Sequence, residues 1–153
     1  MKVLAICSYP IEAAATRFRL GQFVEPLEKH GIEIDIHPFL NSEQFLNFYR
    51  AGSIAEKAMS VLGSIIDRLK LVFRVGSYDL VVIQREAMMF GPAFFEWLYG
   101  IVGKVPTVLD LDDATYVPYI SPRFGRLGSY FKFFGKTDRL IDRSSLVVCG
   151  NRF

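Results

Sequence analysis

Residues 78–116, YDLVVIQREAMMFGPAFFEWLYGIVGKVPTVLDLDDATY, decide the fold, because two short apolar runs there flank a longer segment of helical periodicity. The runs YDLVVIQ (78–84) and PTVLDL (106–111) are rich in β-branched residues, as strands are. Between them, GPAFFEWLYGIVGK (91–104) has the length and apolar spacing of a helix. A strand, a helix and a second strand in succession predict two parallel strands joined by a right-handed crossover.

The same alternation continues toward both ends of the chain. Three further strands are predicted at KVLAIC (2–7), EIDIHPF (33–39) and SSLVVCG (144–150). The segments between strands have helical periodicity, and they are ATRFRLGQFVEPLEKHG (15–31), a pair of helices over roughly 42–75, and SPRFGRLGSYFKFFGKTDRLID (121–142). The pattern predicts an α/β fold, a doubly wound parallel sheet of five or more strands in the order 2-1-3-4-5.

Composition narrows the class of protein. A chain of 153 residues fits one domain, and with 51% apolar and 22% charged residues it is too hydrophobic for disorder. The most apolar long segment, residues 54–75, carries six charged side chains, which argues against a transmembrane helix. A net charge of +2 with no nucleic-acid motif argues against a nucleic-acid partner.

The two cysteines and the amino terminus indicate a cytoplasmic protein. Cys7 and Cys149 each end an apolar strand, so we expect buried thiols rather than metal ligands. The predicted strand order separates them by three strand spacings, roughly 14 Å, which is too far for a disulfide. The apolar stretch of MKVLAICSYP is too short for a secretory signal peptide.

Strand order also predicts where a ligand binds. In this topology the switch point lies between the first and third strands, and ligands bind above the carboxyl ends of the strands. The loops that meet there are residues 8–19 and 85–92, with the DLDDATY loop beside them. The first loop, CSYPIEAAAT, has no glycine, which excludes a dinucleotide fingerprint and a P-loop. The candidate site residues in these loops are Arg17, Arg19, Arg85, Glu86, Asp110, Asp112 and Asp113.

Three interpretations of the carboxylates in DLDDATY remain open. Asp110 and Asp112 match the short D-x-D pattern of metal-dependent sugar transferases. Alternatively, Asp110 or Asp113 caps the next turn and the others are solvated. In the third interpretation Asp112 and Asp113 bind substrate hydroxyls. Arg17 and Arg19 open the first helix, where the dipole disfavours cations, so we expect an anionic partner, either a ligand phosphate or an ion pair to Glu86, Asp112 or Asp113.

Four separated segments together resemble one enzyme family. TRFRLGQFVEPLEKHGIEIDIHPFL (16–40), VVIQREAMMFGPAFFEWL (81–98), PTVLDLDDATY (106–116) and VVCGNRF (147–153) look like the amino-terminal domain of family-four retaining glycosyltransferases. The resemblance implies one Rossmann-like half of a GT-B fold. In that family this half receives the acceptor, and a carboxy-terminal domain with a glutamate pair holds the nucleotide-sugar.

The resemblance also implies roles for individual residues. Many members carry a histidine near the reacting sugar where this chain has Asp112, so we expect Asp112 to be the catalytic-site residue, accepting a hydrogen bond from a sugar hydroxyl. Arg17, Arg19, Arg85, Glu86, Asp110 and Asp113 are then acceptor-binding. The acceptor is a glycan, a lipid-linked sugar or a small molecule. We expect no cofactor or metal in this chain, and no transfer without the donor-binding domain.

The segment 122–143 mixes basic and aromatic residues. On an amphipathic helix this mixture can dock peripherally on anionic lipid, but the sequence favours a core-facing aromatic stripe with a solvated basic side. A large apolar face without the donor domain would also favour a homodimer. The principal rival to an enzyme is a non-catalytic α/β module that binds a ligand or protein in the same crevice.

Overall fold

The computed structural model describes residues 1–48, 53–114, 116–118, 120 and 125–150. The five strands are β1 (Lys2–Cys7), β2 (Glu33–Pro38), β3 (Leu80–Gln84), β4 (Thr107–Leu111) and β5 (Leu146–Cys149). The helices are α1 (Ala14–Thr16), α2 (Gln22–Glu28), α3 (Ser42–Phe48), α4 (Ile54–Val72), α5 (Phe94–Gly103), α6 (Gly125–Lys132) and α7 (Lys136–Arg143), with a π-helical turn at Arg17–Gly21 and a 3₁₀ turn at Val75–Ser77.

All five strands pair in parallel in the order β2-β1-β3-β4-β5, which confirms the predicted fold class and topology. The register aligns Ile6 with Ile83 and Gln84 with Asp110, so the strands end at one common edge. The strand order reverses between β1 and β3. The crevice predicted from the sequence therefore lies above the carboxyl ends of β1, β3 and β4.

The two faces of the sheet are covered unequally. Leu4, Ile6, Val81, Ile83 and Leu109 face a large core built by α4, α5 and α7. The opposite face carries a small cluster of Ala5, Cys7 and Leu20, with Ile34, Ile36 and Val82 against it. Fully buried side chains from outside the strands also belong to the large core, among them Tyr99 of α5, Val75 and Ala87. Most of the apolar burial therefore lies on the face with α4, α5 and α7.

The first helical segment differs from the prediction in its details. The sequence predicts an N-cap at Thr16 and, because proline disrupts a helix interior, a kink or a local break at Pro26. In the structure Ala13 precedes α1 and Thr16 lies inside it. Pro26 lies within α2, and the departure from regular helix comes earlier, as the π-helical turn Arg17–Gly21. The turn after α2 does use Gly31, at φ 74°, a conformation that glycine adopts without strain.

The predicted segment 121–142 is two helices rather than one. Phe133 adopts a left-handed conformation at φ 52° after α6, and α7 begins at Lys136. Residues 121–124 lie outside the described part, so the first part of the 122–143 segment is not assessed. Tyr130 and Phe131 are 75% and 59% exposed, whereas Lys136 is buried. A core-facing aromatic stripe is therefore wrong for these two residues, because the break after α6 turns them away from the core.

The cysteines follow the prediction in part. Cys7 is buried and neither cysteine forms a disulfide, as expected. Cys149 is exposed, contrary to the expectation of a buried thiol, because β5 is an edge strand whose outer side is uncovered in the described structure. Among the described residues, no helix is both long and apolar enough to cross a membrane.

Candidate functional site

The turn after β3 brings Arg85 to the crevice. Glu86 N–H donates to the Gln84 carbonyl at 2.8 Å, and Arg85 between them has φ 64°. This is a three-residue turn with a non-glycine residue in the left-handed region, a conformation that costs roughly 1–3 kcal/mol and is frequent at functional sites. Arg85 N–H also donates to the Asp110 carbonyl at 2.9 Å, which joins the turn to the end of β4.

Arg85 holds the two outer carboxylates of DLDDATY. Its Nε and Nη2 donate to the two oxygens of Asp112, at 2.5 and 2.8 Å, and Nη2 also donates to Asp113 at 2.6 Å. The hydrogen bonds to Asp112 raise the pKa of Arg85, and the charge of Asp113 adds to the effect. The Asp112 side chain is mostly buried, whereas that of Asp113 is 65% exposed. Asp113 therefore presents its carboxylate to solvent at the crevice.

Arg19 makes a second ion pair beside the first. Its guanidinium binds both oxygens of Asp110, with Nε donating at 2.9 Å, and these hydrogen bonds raise the pKa of Arg19. Arg19 lies in the π-helical turn, which widens the helix where it meets β4. Asp110 is buried at the end of β4, so the cap that we considered for it is replaced by this pair.

Arg17 and Glu86 take other positions. Arg17 is exposed, donates to the Glu12 carbonyl at 3.3 Å and lies over the Phe18 ring, so the structure does not bring it to the carboxylates. Glu86 is buried and pairs with the ammonium of Lys136 at 2.5 Å. The cluster at the crevice therefore consists of Arg19, Arg85, Asp110, Asp112 and Asp113.

Buried charged side chains from three helices fix the loop after β3. Glu96 of α5 accepts a hydrogen bond from Ala87 N–H at 2.7 Å, and Arg68 of α4 donates to the Ala87 carbonyl at 3.0 Å. Lys136 of α7 donates to the Met88 carbonyl at 2.8 Å in addition to its pair with Glu86. The backbone that sets the direction of Arg85 is thereby anchored from the core side.

Arg68 extends this anchoring to two more strands. Besides Ala87, its guanidinium donates to the carbonyls of Cys7 at 2.8 Å and His37 at 2.9 Å, which end β1 and lie near the end of β2. Burial lowers the pKa of Arg68 from its ordinary range. One cation thus satisfies three backbone acceptors and holds the carboxyl edge together.

Two buried polar atoms near the site have no hydrogen-bond partner among the described residues, Gln84 Nε2 and Glu96 Oε2. Burial raises the pKa of Glu96, while the hydrogen bond from Ala87 opposes that rise. Gln84 shares its register position with Asp110 and is buried directly beside the Arg19 pair. Its amide can donate to a further acceptor that enters at this end of the sheet.

The cluster combines acceptors and donors of hydrogen bonds at one edge. Carboxylates accept from hydroxyl groups, and guanidinium groups donate in a fixed planar fork. Among the described residues, no three His, Cys, Asp or Glu side chains are grouped closely enough to hold a metal ion. Instead, each carboxylate of the cluster contacts an arginine. The arrangement suits a neutral ligand with several hydroxyl groups.

The sequence interpretation missed Arg68, Glu96 and Lys136. The signal was present, because Arg68 falls on the buried face of α4 with Ser64, Leu71 and Val72. Similarly, Glu96 interrupts the apolar run FFEWLYGI of α5. A charged residue on a buried helix face requires a partner, but periodicity alone does not identify which one.

A cavity of about 350 Å³ lies between α5, α7 and the sheet, and Trp97, Ile101 and Leu140 are among its lining residues. Its lining also includes Ile83 of β3 and Glu96, whose carboxylate accepts a hydrogen bond from Ala87 N–H. None of the five cluster residues lines this cavity.

Comparison with protein-family models, curated proteins and solved structures finds no match to this chain. Functional inference consequently depends on the geometry of the crevice and on the sequence motifs that build it.

Proposed function

We propose that this chain is the acceptor-side domain of a nucleotide-sugar-dependent retaining glycosyltransferase, and that its crevice binds the hydroxyl groups of a carbohydrate or lipid-linked acceptor. The observation that carries the proposal is the group formed by Arg85, Asp112 and Asp113 at the switch point of the sheet. It supports the interpretation of DLDDATY as a hydroxyl-binding loop.

In this proposal Asp112 and Asp113 accept hydrogen bonds from acceptor hydroxyls, and Asp112 lies closest to the reacting group. Arg85 orients both carboxylates through its hydrogen bonds, and Arg19 does the same for Asp110. Arg17 and Glu86, which the family resemblance also assigned to acceptor binding, act less directly. Glu86 positions the loop through Lys136, and Arg17 lies exposed on the first helical segment, where it can contact an extended acceptor.

The donor is expected to be a nucleotide-sugar held by a second domain, and transfer is expected to need no metal ion. Alone, residues 1–153 should therefore bind nucleotide-sugars no more tightly than about millimolar, equivalent to ~4 kcal/mol. Calorimetry with UDP-sugars and GDP-sugars measures this directly. Micromolar binding of a nucleotide-sugar to this chain would contradict the assignment of donor binding to a second domain.

Acceptor binding can be mapped by NMR on isotopically labelled chain. Titration with common hexoses, N-acetylhexosamines and their disaccharides should shift the backbone amides of Arg85, Asp112 and Asp113 first. Asp112→Asn should weaken binding by about tenfold, a loss of ~1.4 kcal/mol. The matched control is Asp142→Asn on α7, an exposed aspartate outside the crevice, which should leave binding unchanged.

Two outcomes would overturn this proposal. Shifts confined to the cavity between α5 and α7 would move the ligand site away from the carboxyl edge. Selective broadening of Asp110, Asp112 and Asp113 by micromolar manganese would favour the metal-dependent D-x-D interpretation. In a protein that joins this domain to a donor-binding domain, transfer should survive EDTA, and loss with rescue by manganese would support the same conclusion.

We also propose a cytoplasmic location with peripheral membrane contact through the 122–143 segment. Tyr130 and Phe131 are largely exposed on α6, which also carries Arg126 and Lys132. Exposed aromatic residues with basic neighbours favour anionic lipid surfaces. Sedimentation with anionic vesicles should fall steeply with salt and should drop in Tyr130→Ser/Phe131→Ser. Equal binding to neutral vesicles would contradict the electrostatic part of this proposal.

A further inference from the structure

Helix α4 exposes a regular apolar stripe. Met59, Leu62, Ile66, Leu69 and Phe73 are each between 40% and 86% exposed, and they follow one another at intervals of three, four, three and four residues. This is the a and d spacing of a coiled coil, sustained over ~21 Å of helix. The opposite side of α4 is buried in the domain through Ser64, Arg68, Leu71 and Val72. The apolar stripe therefore faces away from the domain.

Two oppositely charged residues beside the stripe are arranged symmetrically about Gly63. When Met59 is assigned to position a, Glu56, Gly63 and Lys70 fall at the three successive e positions. Glu56 and Lys70 have opposite charges and each lies seven residues from Gly63. Both are exposed, and Lys70 has only an exposed partner of its own helix, Asp67, at 2.8 Å.

Gly63 lies in the middle of α4, where glycine destabilises a helix relative to alanine. Among the described residues, a Cβ placed on Gly63 would meet nothing within 4 Å, so their packing does not require a glycine there. A close approach by a second helix at this point does require a small residue.

We propose that the α4 stripe is a homodimer interface, in which two copies of this chain pair their α4 helices antiparallel about a two-fold axis that passes beside Gly63, midway between Leu62 and Ile66. In that arrangement Leu62 of each copy lies opposite Ile66 of the other, and Met59 lies opposite Leu69. Phe73 lies at the end of the interface, opposite Ala55. Glu56 of each copy meets Lys70 of the other, twice by symmetry. The charge pattern favours a second copy over a lipid surface, because the stripe is flanked by both signs of charge.

The interface is small, because one 19-residue helix per copy supplies it. Stable complexes bury roughly 1,200–2,000 Å² in total, so this dimer falls at or below the lower end. We therefore expect a dissociation constant in the micromolar range. Sedimentation equilibrium of the 153-residue chain should show reversible conversion between a 17.4 kDa monomer and its dimer.

Charge exchange tests the antiparallel pairing itself. Glu56→Lys and Lys70→Glu should each weaken the dimer at low salt by at least fivefold, because each places like charges opposite one another. The double variant Glu56→Lys/Lys70→Glu should recover most of that loss, since opposite charges again face each other across the two-fold axis. Failure of the double variant to recover, with circular dichroism showing folded chains, would overturn the proposed pairing.

Charged substitutions at exposed apolar residues test whether the α4 stripe is the interface. Leu62→Glu should weaken the dimer by more than tenfold, because it places a carboxylate at the central layer of the interface. Phe23→Glu is the matched control, since Phe23 is similarly exposed but lies on α2 at the other face of the sheet. A wild-type chain that stays monomeric at hundreds of micromolar would overturn the proposal. Equal weakening by both variants, or a monomer that binds vesicles through Leu62, would also overturn it.

A cross-link locates the symmetry axis. In a Cys149→Ser background, Gly63→Cys should give a covalent dimer with a short thiol-specific reagent, because the two introduced thiols face each other. Glu28→Cys on α2 provides the control and should remain monomeric under the same treatment. Efficient cross-linking of the control but not of Gly63→Cys would overturn the assignment of the axis.

Discussion

Arg68 and Arg85 both serve the carboxyl edge of the sheet, yet their surroundings differ. Arg68 is 3% exposed and donates to three backbone carbonyls, with no acidic side chain among its described hydrogen-bond partners. Arg85 is partly exposed and binds the two carboxylates of Asp112 and Asp113. The first arginine holds elements of the fold in place, whereas the second holds side chains that a ligand can reach.

The difference shows that separate groups of side chains serve stability and ligand binding in this domain. Carbonyl groups left without a partner in the interior cost about 1–3 kcal/mol each, so Arg68 is difficult to replace. Ion pairs near solvent contribute roughly 0–1 kcal/mol, because water can replace either partner. A ligand hydroxyl can do the same, which makes the Arg85 cluster suitable for exchange.

The largest expected effect is at Arg68. Arg68→Met should lower the free energy of unfolding by about 4 kcal/mol, since it removes the guanidinium donor from the carbonyls of His37 and Ala87. The Cys7 carbonyl also loses this donor but keeps the hydrogen bond from Phe39 N–H at 2.8 Å. Arg68→Lys should recover less than half of this loss, because one ammonium cannot reproduce the planar fork. Urea unfolding measures both. A loss below ~1 kcal/mol for Arg68→Met would remove the distinction between the two arginines.

The second-largest loss of stability is expected at the buried ion pair of Glu86 and Lys136. Lys136→Met leaves the Glu86 carboxylate buried without its cation and should cost about 3 kcal/mol. The double variant Glu86→Gln/Lys136→Met should regain most of that stability, since no unpaired charge remains. Chemical denaturation of the wild type, the two single variants Glu86→Gln and Lys136→Met, and the double variant gives the coupling energy of the pair. An equally destabilised double variant would indicate that Lys136 acts mainly through the Met88 carbonyl.

Alkaline pH should lower the stability of the domain through ionisation of Cys7, which lies beside Arg68. Burial raises the pKa of the Cys7 thiol from 9.0 to about 11, although the charge of Arg68 opposes the rise. Because the folded state holds this proton more tightly, the stabilisation is complete below pH 9 and is lost as pH rises toward 11. The loss amounts to at most ~2.7 kcal/mol.

Denaturation as a function of pH checks this expectation. Cys7→Ala should flatten the fall in stability between pH 9 and 11 relative to wild type. Cys149→Ser is the control, because Cys149 is exposed, and it should leave the slope unchanged. Identical slopes of stability against pH in wild type and Cys7→Ala would show that folding does not raise the pKa of the Cys7 thiol.

The smallest effect on stability is expected in the crevice. Arg85→Gly removes the ion pairs with Asp112 and Asp113 but also relieves the left-handed conformation, which costs roughly 1–3 kcal/mol for a non-glycine residue. The two contributions oppose each other, so the free energy of unfolding should change by less than ~1 kcal/mol while acceptor binding is lost. A loss of more than ~2 kcal/mol in the free energy of unfolding would indicate that Arg85 mainly stabilises the fold, as Arg68 does.

The local pattern of the chain determined the fold. Apolar runs of four to seven residues, separated by helical periodicity, predicted five parallel strands and their order, because right-handed crossovers leave few alternatives. The strand ends were thereby located, and with them Asp110 at the end of β4 and the loops that carry Arg85, Asp112 and Asp113. These predictions succeeded because they need only neighbouring residues.

Only the tertiary structure decided which charges meet. Arg19 and Asp110 are 91 positions apart, and Glu86 reaches Lys136 across 50 positions, so no spacing in the sequence predicts either pair. The break at Phe133 also depended on packing, because it turns Lys136 into the core and Tyr130 outward. Helical and strand periodicity record which side of an element is apolar. The partner of a buried charge depends on which elements approach one another in space.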